Sequence, residues 1–419
     1  MRPKIAFFDY PDVFEDFYPH YGVDQRAFAT VWHNTGTHAW IKIIQEEVGD
    51  VTWYVLSINP AIKEAKHEYT RCKVKFLRSS WFHRKCWKIF YQSSNSWRLR
   101  RYYRLYASIA SYLSILSFPL IQELHKNKPD VIFVQEYCNG KFDLLVMYAK
   151  ILQIPLVTYH AGSTAEKYLG KFWKKITIPA ADYIFPSGSK ELERLKKTYP
   201  KLTGRLSIIR PPVDTSVYRI IPSRVACQVA GLDPARRYFI YLGRLDDSVK
   251  RISTIIHVFT QIAHRYPDID LLLVGAGKDE EQLKQKAQSL IPGRAQFIGW
   301  LSDDEQKAHF LNAADCLVMA SKREGFPAII SEAFACGLWV VSSDVGTIAD
   351  LVIEAETGSL FLPEDEAGML RCLLWVAANP DKVKSKQAII RRYAVEQLSF
   401  KAIAKTLKQG FSSIYNANS

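Results

Sequence analysis

The chain has no run of eighteen strongly apolar residues free of charge, the length a membrane-spanning helix needs. The nearest stretch, Leu105 to Ile121, holds four serines and a proline and reads as a buried helix. The opening MRPKIAFFDYPD has a short apolar run that ends in acids, and is expected to be a first strand and not a secretory leader. The seven cysteines (72, 86, 138, 227, 316, 336, 372) are scattered, with no C-x-x-C pair and no Cys/His spacing. They are expected to be reduced thiols of a cytoplasmic protein without a zinc site. There is no short-period repeat, no low-complexity segment and no acidic cluster of the kind that holds a metal.

What remains is globular in composition, 48% hydrophobic and 23% charged. At 419 residues the chain is too long for one ordinary core and suggests two domains. The net charge of +14 is unevenly placed: residues 61–110 carry 13 Lys/Arg against two Glu, with eleven Phe, Trp and Tyr among them. Rings beside cations fit a surface lying on anionic lipid. They fit equally a solvated basic helix whose rings face the core. No nucleic-acid motif accompanies the charge, so nucleic acid is not expected as a partner.

Short β runs alternate with helical stretches along the chain. Strands are expected at Lys4 to Phe8, Val51 to Ile58, Asp130 to Gln135, Pro155 to His160, Asp182 to Pro186 and Leu206 to Arg210. Between them come a long aromatic loop, Tyr10 to Val31, and helices at Ala39 to Val48, about Trp97 to Lys126, Phe142 to Leu152 and Ser189 to Thr198. The turn-rich Pro211 to Pro222 reads as a linker. The pattern then restarts, with strands at Tyr238 to Leu242, Asp270 to Val274, Gln296 to Ile298, Cys316 to Ala320, Trp339 to Ser343 and Ser359 to Leu362. Such alternation argues for two α/β, doubly wound parallel-sheet domains. The divisions are 1–212, 213–397, and a last helix in 398–419 that crosses back to the first domain.

In open α/β sheets ligands bind beyond the carboxyl ends of the strands. In the second domain those positions hold Gly243-Arg244-Leu245-Asp246, Gly275 to Lys278, Gly299-Trp300, Ser321 to Phe326 and Asp344 to Thr347. In the first they hold Asp9, Glu136 and His160, and two such rims facing each other would make a cleft. The stretch Ser321 to Gly337 stands out. Glu324 falls in a strand-to-helix loop, and Glu332 eight residues later lies about one and a half turns into a helix that starts after Pro327. Free N–H groups at that helix start suit a phosphate, while carboxylates suit the hydroxyls of a diol. Arg244 and Lys250 could grip a diphosphate, one as a fork and one as a point charge. Each has a plainer reading: a surface helix with a Glu at either end, and Arg244 in a surface salt bridge to Asp246 or Asp247. Gly36, opening the helix after the first strand, would let a phosphate approach the backbone.

Taken in order, Gly243-Arg244-Leu245-Asp246 with Lys250, Leu273 to Gly277, Phe297 to Trp300, Glu324-Gly325-Phe326-Pro327 to Glu332-Ala333, Val345-Gly346 and Thr357-Gly358 resemble the GT-B glycosyltransferases of family GT4. The likeness is dense over residues 237–365 and looser in the first domain, where Gly36, His160 and Asp182 carry it. It implies two Rossmann-like domains and retaining transfer of a sugar from a nucleotide-diphosphate donor, a UDP- or GDP-sugar, without a metal. Carried over by position, Arg244 and Lys250 would hold the diphosphate, Glu324 the sugar hydroxyls beside the backbone of Phe326, Pro327 and Ala328, and Glu332 the ribose diol. His160 would touch the donor sugar near the reacting carbon, Gly36 and Gly243 the phosphate region, and Gly299 and Trp300 the base. The chain departs from the family at Thr35-Gly36-Thr37 and Gly346-Thr347, where a pair of glycines is usual. The expected acceptor is a lipid-linked glycan or a polysaccharide, met in the cytoplasm at an anionic membrane face. A soluble glycoside or disaccharide product, or a non-catalytic nucleotide-sugar-binding scaffold, are the alternatives.

Overall fold

Fully buried runs such as Val-Ile-Phe-Val-Gln at residues 131–135 can be covered only by helices on both faces, which is the signature of a parallel sheet. The structure, a computed structural model, describes residues 2–33, 36–90, 109–160, 162 and 170–418. It divides into two compact units, Met1–Ile209 with Ile403–Ser419, and Arg210–Ala402.

The first unit is built on a seven-stranded sheet of β1 (Lys4–Phe8), β2 (Asp50–Ser57), β3 (Glu64–Lys66), β4 (Lys73–Arg78), β5 (Val131–Gln135), β6 (Leu156–Tyr159) and β7 (Tyr183–Phe185), in the order β3-β4-β2-β1-β5-β6-β7. All pairings are parallel except β3 with β4. The chain therefore leaves β1, β2, β4, β5, β6 and β7 at one edge. The second unit has six strands, β8 (Arg237–Leu242), β9 (Ile269–Val274), β10 (Ala295–Gly299), β11 (Cys316–Met319), β12 (Trp339–Ser343) and β13 (Gly358–Phe361), in the order β10-β9-β8-β11-β12-β13. Every pairing there is parallel. Both sheets are doubly wound, and each unit has its own apolar core.

The expected strands fall within a residue or two of the observed ones, with three kinds of exception. The loop expected at Tyr10 to Val31 instead forms two 3-10 turns, Phe14–Asp16 and Tyr18–Tyr21, and the helix Gln25–Thr30. Its aromatics make a core of their own: Phe28 lies 4.3 Å from Tyr18 and 4.7 Å from Trp53, ring centre to centre. The helix expected from Trp97 to Lys126 is interrupted at Leu116 and Ser117, between a helical stretch at 109–115 and the helix Phe118–Asn127. There the Ser117 hydroxyl donates to the Arg78 carbonyl at 2.6 Å, and Pro119 opens the second helix. Residues 97–108 of that expectation, with Thr35 and part of the basic segment, lie outside the described residues. Leu206 to Arg210 is no strand; only Leu206 bridges to Ile184.

Strand β3 was not expected, nor were two further elements. Strand β4 hides its alternation behind lysines, with Val74 and Phe76 inward and Lys73 outward. The helix Lys171–Ala180 contains Pro179 near its end. The turn-rich Pro211 to Pro222 is also more than a spacer, since Val213 and Tyr218 are buried in the second unit's core.

The final helix, Phe400–Asn418, starts in the second unit, and its residues from Ile403 onward belong to the first. Phe411 is buried there, its ring stacked on Phe133 with centres 6.3 Å apart.

Candidate active site

In the second unit, backbone contacts knit the loops at the carboxyl edge of the sheet into one surface. The Gly243 N–H donates to the Val274 carbonyl, Leu245 to Ala276, and Gly275 to Gly299, all at 2.8 to 3.0 Å. Gly275 sits at φ +137°, and a Cβ on it would come 1.9 Å from the Gly243 carbonyl oxygen, so only glycine fits between these loops. Beyond β11, the Lys322 N–H donates to Val249 at 2.8 Å. The Ser343 hydroxyl reaches the Ser321 carbonyl at 2.7 Å, and Thr347 the Gly325 carbonyl at 3.1 Å.

On this frame the structure joins two of the four expected charged residues directly. A one-turn helix, Asp247–Lys250, ends at Arg251 in the left-handed conformation, φ +52°. Lys250 meets Glu324 across the edge of the sheet, Nζ to Oε1 2.6 Å, and the Ser321 hydroxyl donates to the same oxygen at 2.6 Å. Tyr241, whose hydroxyl donates to the Arg244 carbonyl at 2.7 Å, lies among them. Its phenol is pushed above its ordinary range by burial first and by the Glu324 charge next, while Arg244 opposes both.

Arg244 itself reaches into solvent, its side chain 63% exposed, and its carboxylate neighbour is Asp246 at 3.7 Å. That is the surface salt bridge of its plainer reading. Asp246 also faces Lys278 at 3.4 Å, and the Ser248 hydroxyl helps hold its acid below the ordinary range.

Glu332 turns elsewhere. It is buried in the helix Ala328–Ala335, among Tyr218, Asp304 and Lys307. Burial pushes its acid up to about 7, Lys307 opposing. The Tyr218 hydroxyl donates to Asp304 at 3.1 Å, and Lys307 pairs with Asp304 at 2.7 Å. So Glu332 belongs to a second polar group rather than to the Lys250–Glu324 pair.

Pro327 caps the helix, with Phe326 before it and Ala328 as its first residue. By helical geometry the first N–H groups have no partner within the helix. Gly299 ends β10 at φ +84°, and Trp300 beside it is 66% exposed.

In the first unit His160 follows β6. Its Nδ1 is 3.0 Å from the Ser187 hydroxyl, its Nε2 4.0 Å from Glu136, and its ring stacks on Tyr137 at 5.1 Å. Glu136, buried at φ +77°, accepts from the Tyr137 N–H at 3.0 Å. Ligand atoms of Glu136, Cys138 and His160 lie within 4.8 Å of one another. The Cys138 thiol is driven well above its ordinary range by burial first and by Glu136 next. Gly36 precedes the helix Thr37–Glu47, and the Thr37 hydroxyl donates to Gln135 at 2.9 Å.

Ser321 falls in the stretch singled out by its place after a strand, while Tyr241 and Ser187 were not foreseen. Ser187 comes two residues after a strand and could have been found by position; Tyr241 lies inside β8, where nothing marks it.

Residues 227–395 match the family model for glycosyl transferases group 1. Among curated proteins, the alpha-maltose-1-phosphate synthase of Mycolicibacterium smegmatis is 26% identical over 60% of this chain and 68% of its own length. The phosphatidyl-myo-inositol mannosyltransferase of Mycobacterium leprae is 27% identical over 46% of this chain and 51% of its own length. Among solved structures, sucrose-phosphate synthase from Thermosynechococcus elongatus overlays 99% of this chain and 100% of its own, with a TM-score of 0.72 at 17% identity. The Anabaena protein HepE in complex with UDP overlays 98% of this chain and 100% of its own, with a TM-score of 0.69 at 15% identity. These likenesses give the fold, GT-B.

Proposed function

We propose, from the match of residues 227–395 to the glycosyl transferases group 1 family model, that the chain moves a sugar from a nucleotide-diphosphate donor to a lipid-linked or polysaccharide acceptor with retention of configuration. The observation that carries this reading is the contact of Lys250 and Ser321 with Glu324, in the loops just before the helix that Pro327 caps.

Breaking the bond at the anomeric carbon leaves negative charge on the diphosphate. Lys250, Arg244 and the first N–H groups of the helix at Ala328 supply positive field for it. Arg244, long and exposed, is free to swing from Asp246 onto an arriving phosphate, whose higher charge competes well with one carboxylate. Lys250 releases Glu324 as it turns to the diphosphate, and Glu324 then accepts from sugar hydroxyls. Glu332 takes the ribose diol, and Gly243, Gly299 and Trp300 border the nucleotide. His160 and Gly36, on the first unit, are assigned to the donor as well. No step requires a metal, and the leaving phosphate takes the acceptor proton, so no protein nucleophile is assigned.

A soluble product is the second reading, supported by the alpha-maltose-1-phosphate synthase likeness. One screen tests both: thermal stabilisation by UDP- and GDP-sugars, then transfer with chelator present, to lipid-linked and to free acceptors. Failure of every nucleotide sugar to raise the melting point would remove the donor site from this proposal. Loss of transfer on adding chelator would remove its metal-independence.

A further inference from the structure

The helix Trp81–Phe90 is turned the wrong way for a solvated basic helix. Its inner side carries His83, fully buried, and Trp87, whose indole N–H donates to Asp16 at 3.1 Å. Its outer side carries Trp81, 57% exposed, and Phe82, 63% exposed, with the Lys85 ammonium 5.6 Å from the Trp81 ring centre. Two large rings thus face water although the helix has an interior to fill.

They are not alone. The Ser80 N–H at the helix start donates to the Ser114 carbonyl at 3.4 Å, and Ser117 bonds the Arg78 carbonyl. These contacts bring up the interrupted helix, where Leu116, Phe118 and Ile121 are exposed, Phe118 at 69%. Phe118 and Ile121, three apart, share the outward side, and Leu120 and Leu124 fill the core. Apolar area gathered in this way marks a docking surface.

Cations stand beside it. Arg78 ends β4, Arg84 is near enough to feel its charge, and Lys85 follows. Among the described residues, no acid forms an ion pair with any of the three. A protein partner would have to bring apolar and acidic groups in matching places. A bilayer containing anionic lipid offers both without a match, a hydrocarbon boundary for rings and phosphates for cations.

We propose that Trp81, Phe82, Leu116 and Phe118, rimmed by Arg78 and Lys85, form the surface on which this protein lies on anionic membranes. The sheet shows what docking accomplishes. Strand β4 runs parallel to β2, and β2 to β1, so Arg78 leaves the sheet at the same edge as Asp9 and Glu136. Docking there holds that edge at headgroup level, within reach of an acceptor whose anchor stays in the lipid. The inference rests on the lipid-linked acceptor of the proposed function and names the surface that meets it.

The test is flotation of the full chain, without substrate, on phosphatidylcholine vesicles with and without phosphatidylglycerol. Wild type binds the anionic vesicles and is released by salt. A Trp81→Ser/Phe82→Ser double variant binds at least ~10-fold more weakly. Arg78→Glu, a change of two charges at about fivefold each, binds on the order of 25-fold more weakly. Lys382→Glu and Val229→Ser, exposed on the second unit, bind as wild type. Melting temperatures equal to wild type show that the variants are folded. Equal binding to both vesicle types, no binding, or variants that bind like wild type overturns the proposal. So does a wild-type dimer that the ring variants dissociate, since a second copy would then be the occupant. Stabilisation by nucleotide sugars, read on the same proteins without vesicles, separates the two claims. Donor stabilisation without flotation rejects the surface alone, and flotation without donor stabilisation rejects the glycosyltransferase reading.

Discussion

The ammonium of Lys250 and the carboxylate of Glu324 meet at 2.6 Å, with side chains only 19% and 9% exposed. A pair this enclosed is screened little by solvent, and removing one partner leaves the other short of contacts. Lys250→Ala is expected to cost about 1–3 kcal/mol in urea denaturation, the Ser321 hydroxyl softening the loss. In a Glu324→Gln background the same change should cost clearly less, because the coupling has gone. For transfer, Lys250→Ala and Arg244→Ala should each lower kcat/KM by ~100-fold or more, since both act on charge that grows in the transition state. Arg244→Ala should leave stability within about 0.5 kcal/mol, as expected of an exposed side chain. Turnover at the wild-type rate in either variant would sink the diphosphate assignment.

Glu332 predicts a pH dependence. Burial raises its acid from 4.5 to about 7, so the folded state holds the proton more tightly than the unfolded state. Its contribution to stability is therefore fullest below about 4.5 and is lost as pH rises through about 7. At 1.4 kcal/mol per pKa unit the loss is at most about 3.5 kcal/mol. Asp12, raised to about 7, and Asp16, raised to about 6, tilt stability the same way from the first unit, both chiefly through burial. The difference between wild type and Glu332→Gln isolates the one residue: the variant's stability should fall less between pH 4.5 and 7. If the charged carboxylate takes the ribose diol, donor KM should improve as pH rises through about 7 in wild type and stay flat in the variant. Parallel stability curves for the two proteins would contradict the burial argument.

Gly346 is at φ +61°, and a Cβ there would come 1.8 Å from the Glu324 carbonyl oxygen. Both the left-handed backbone and the contact forbid a side chain. Gly346→Ala must move the Glu324 loop, with a cost above about 2 kcal/mol and a loss of donor stabilisation in the thermal screen. Thr347→Val, which replaces only the hydroxyl bonded to the Gly325 carbonyl, should cost about 1 kcal/mol and leave donor binding in place. Equal effects of the two changes would show that the glycine is not what holds this loop.

The sequence showed the strands of the second unit within a residue or two because most are short apolar runs ending in glycine or small residues, and position after a strand located Lys250 and Glu324. Partner choice was not legible. Nothing in the chain says that Asp246 is nearer to Arg244 than Glu324 is, or that Glu332 turns to Asp304 and Lys307, since those contacts depend on how loops and helices lie across the sheet. The first unit was harder for a different reason. Between Tyr10 and Val31 the core is made by rings at irregular spacing, so no period marks the helix Gln25–Thr30. In β4 the lysines conceal a strand.

The final helix gives a prediction about which unit it stabilises. Phe411 is 3% exposed and stacks almost flat on Phe133, at an angle of 7°. A Cβ on Gly410 would come 2.5 Å from the Phe185 ring, so the helix backbone lies directly against the β7 aromatics. These contacts are all within the first unit, although the helix begins in the second. Phe411→Ala opens a cavity beside β5, and its cost is expected at about 3–5 kcal/mol. Lys405→Ala, exposed on the same helix, should stay within about 0.5 kcal/mol. If the units melt separately, the Phe411 variant should lower the transition of the first and spare that of the second, whose donor stabilisation would persist. Hydrogen exchange followed by peptide mapping reads this directly: faster exchange in Val131–Gln135 and Tyr183–Phe185, with Cys316–Met319 unchanged. Faster exchange confined to the second unit would show that the helix belongs there instead.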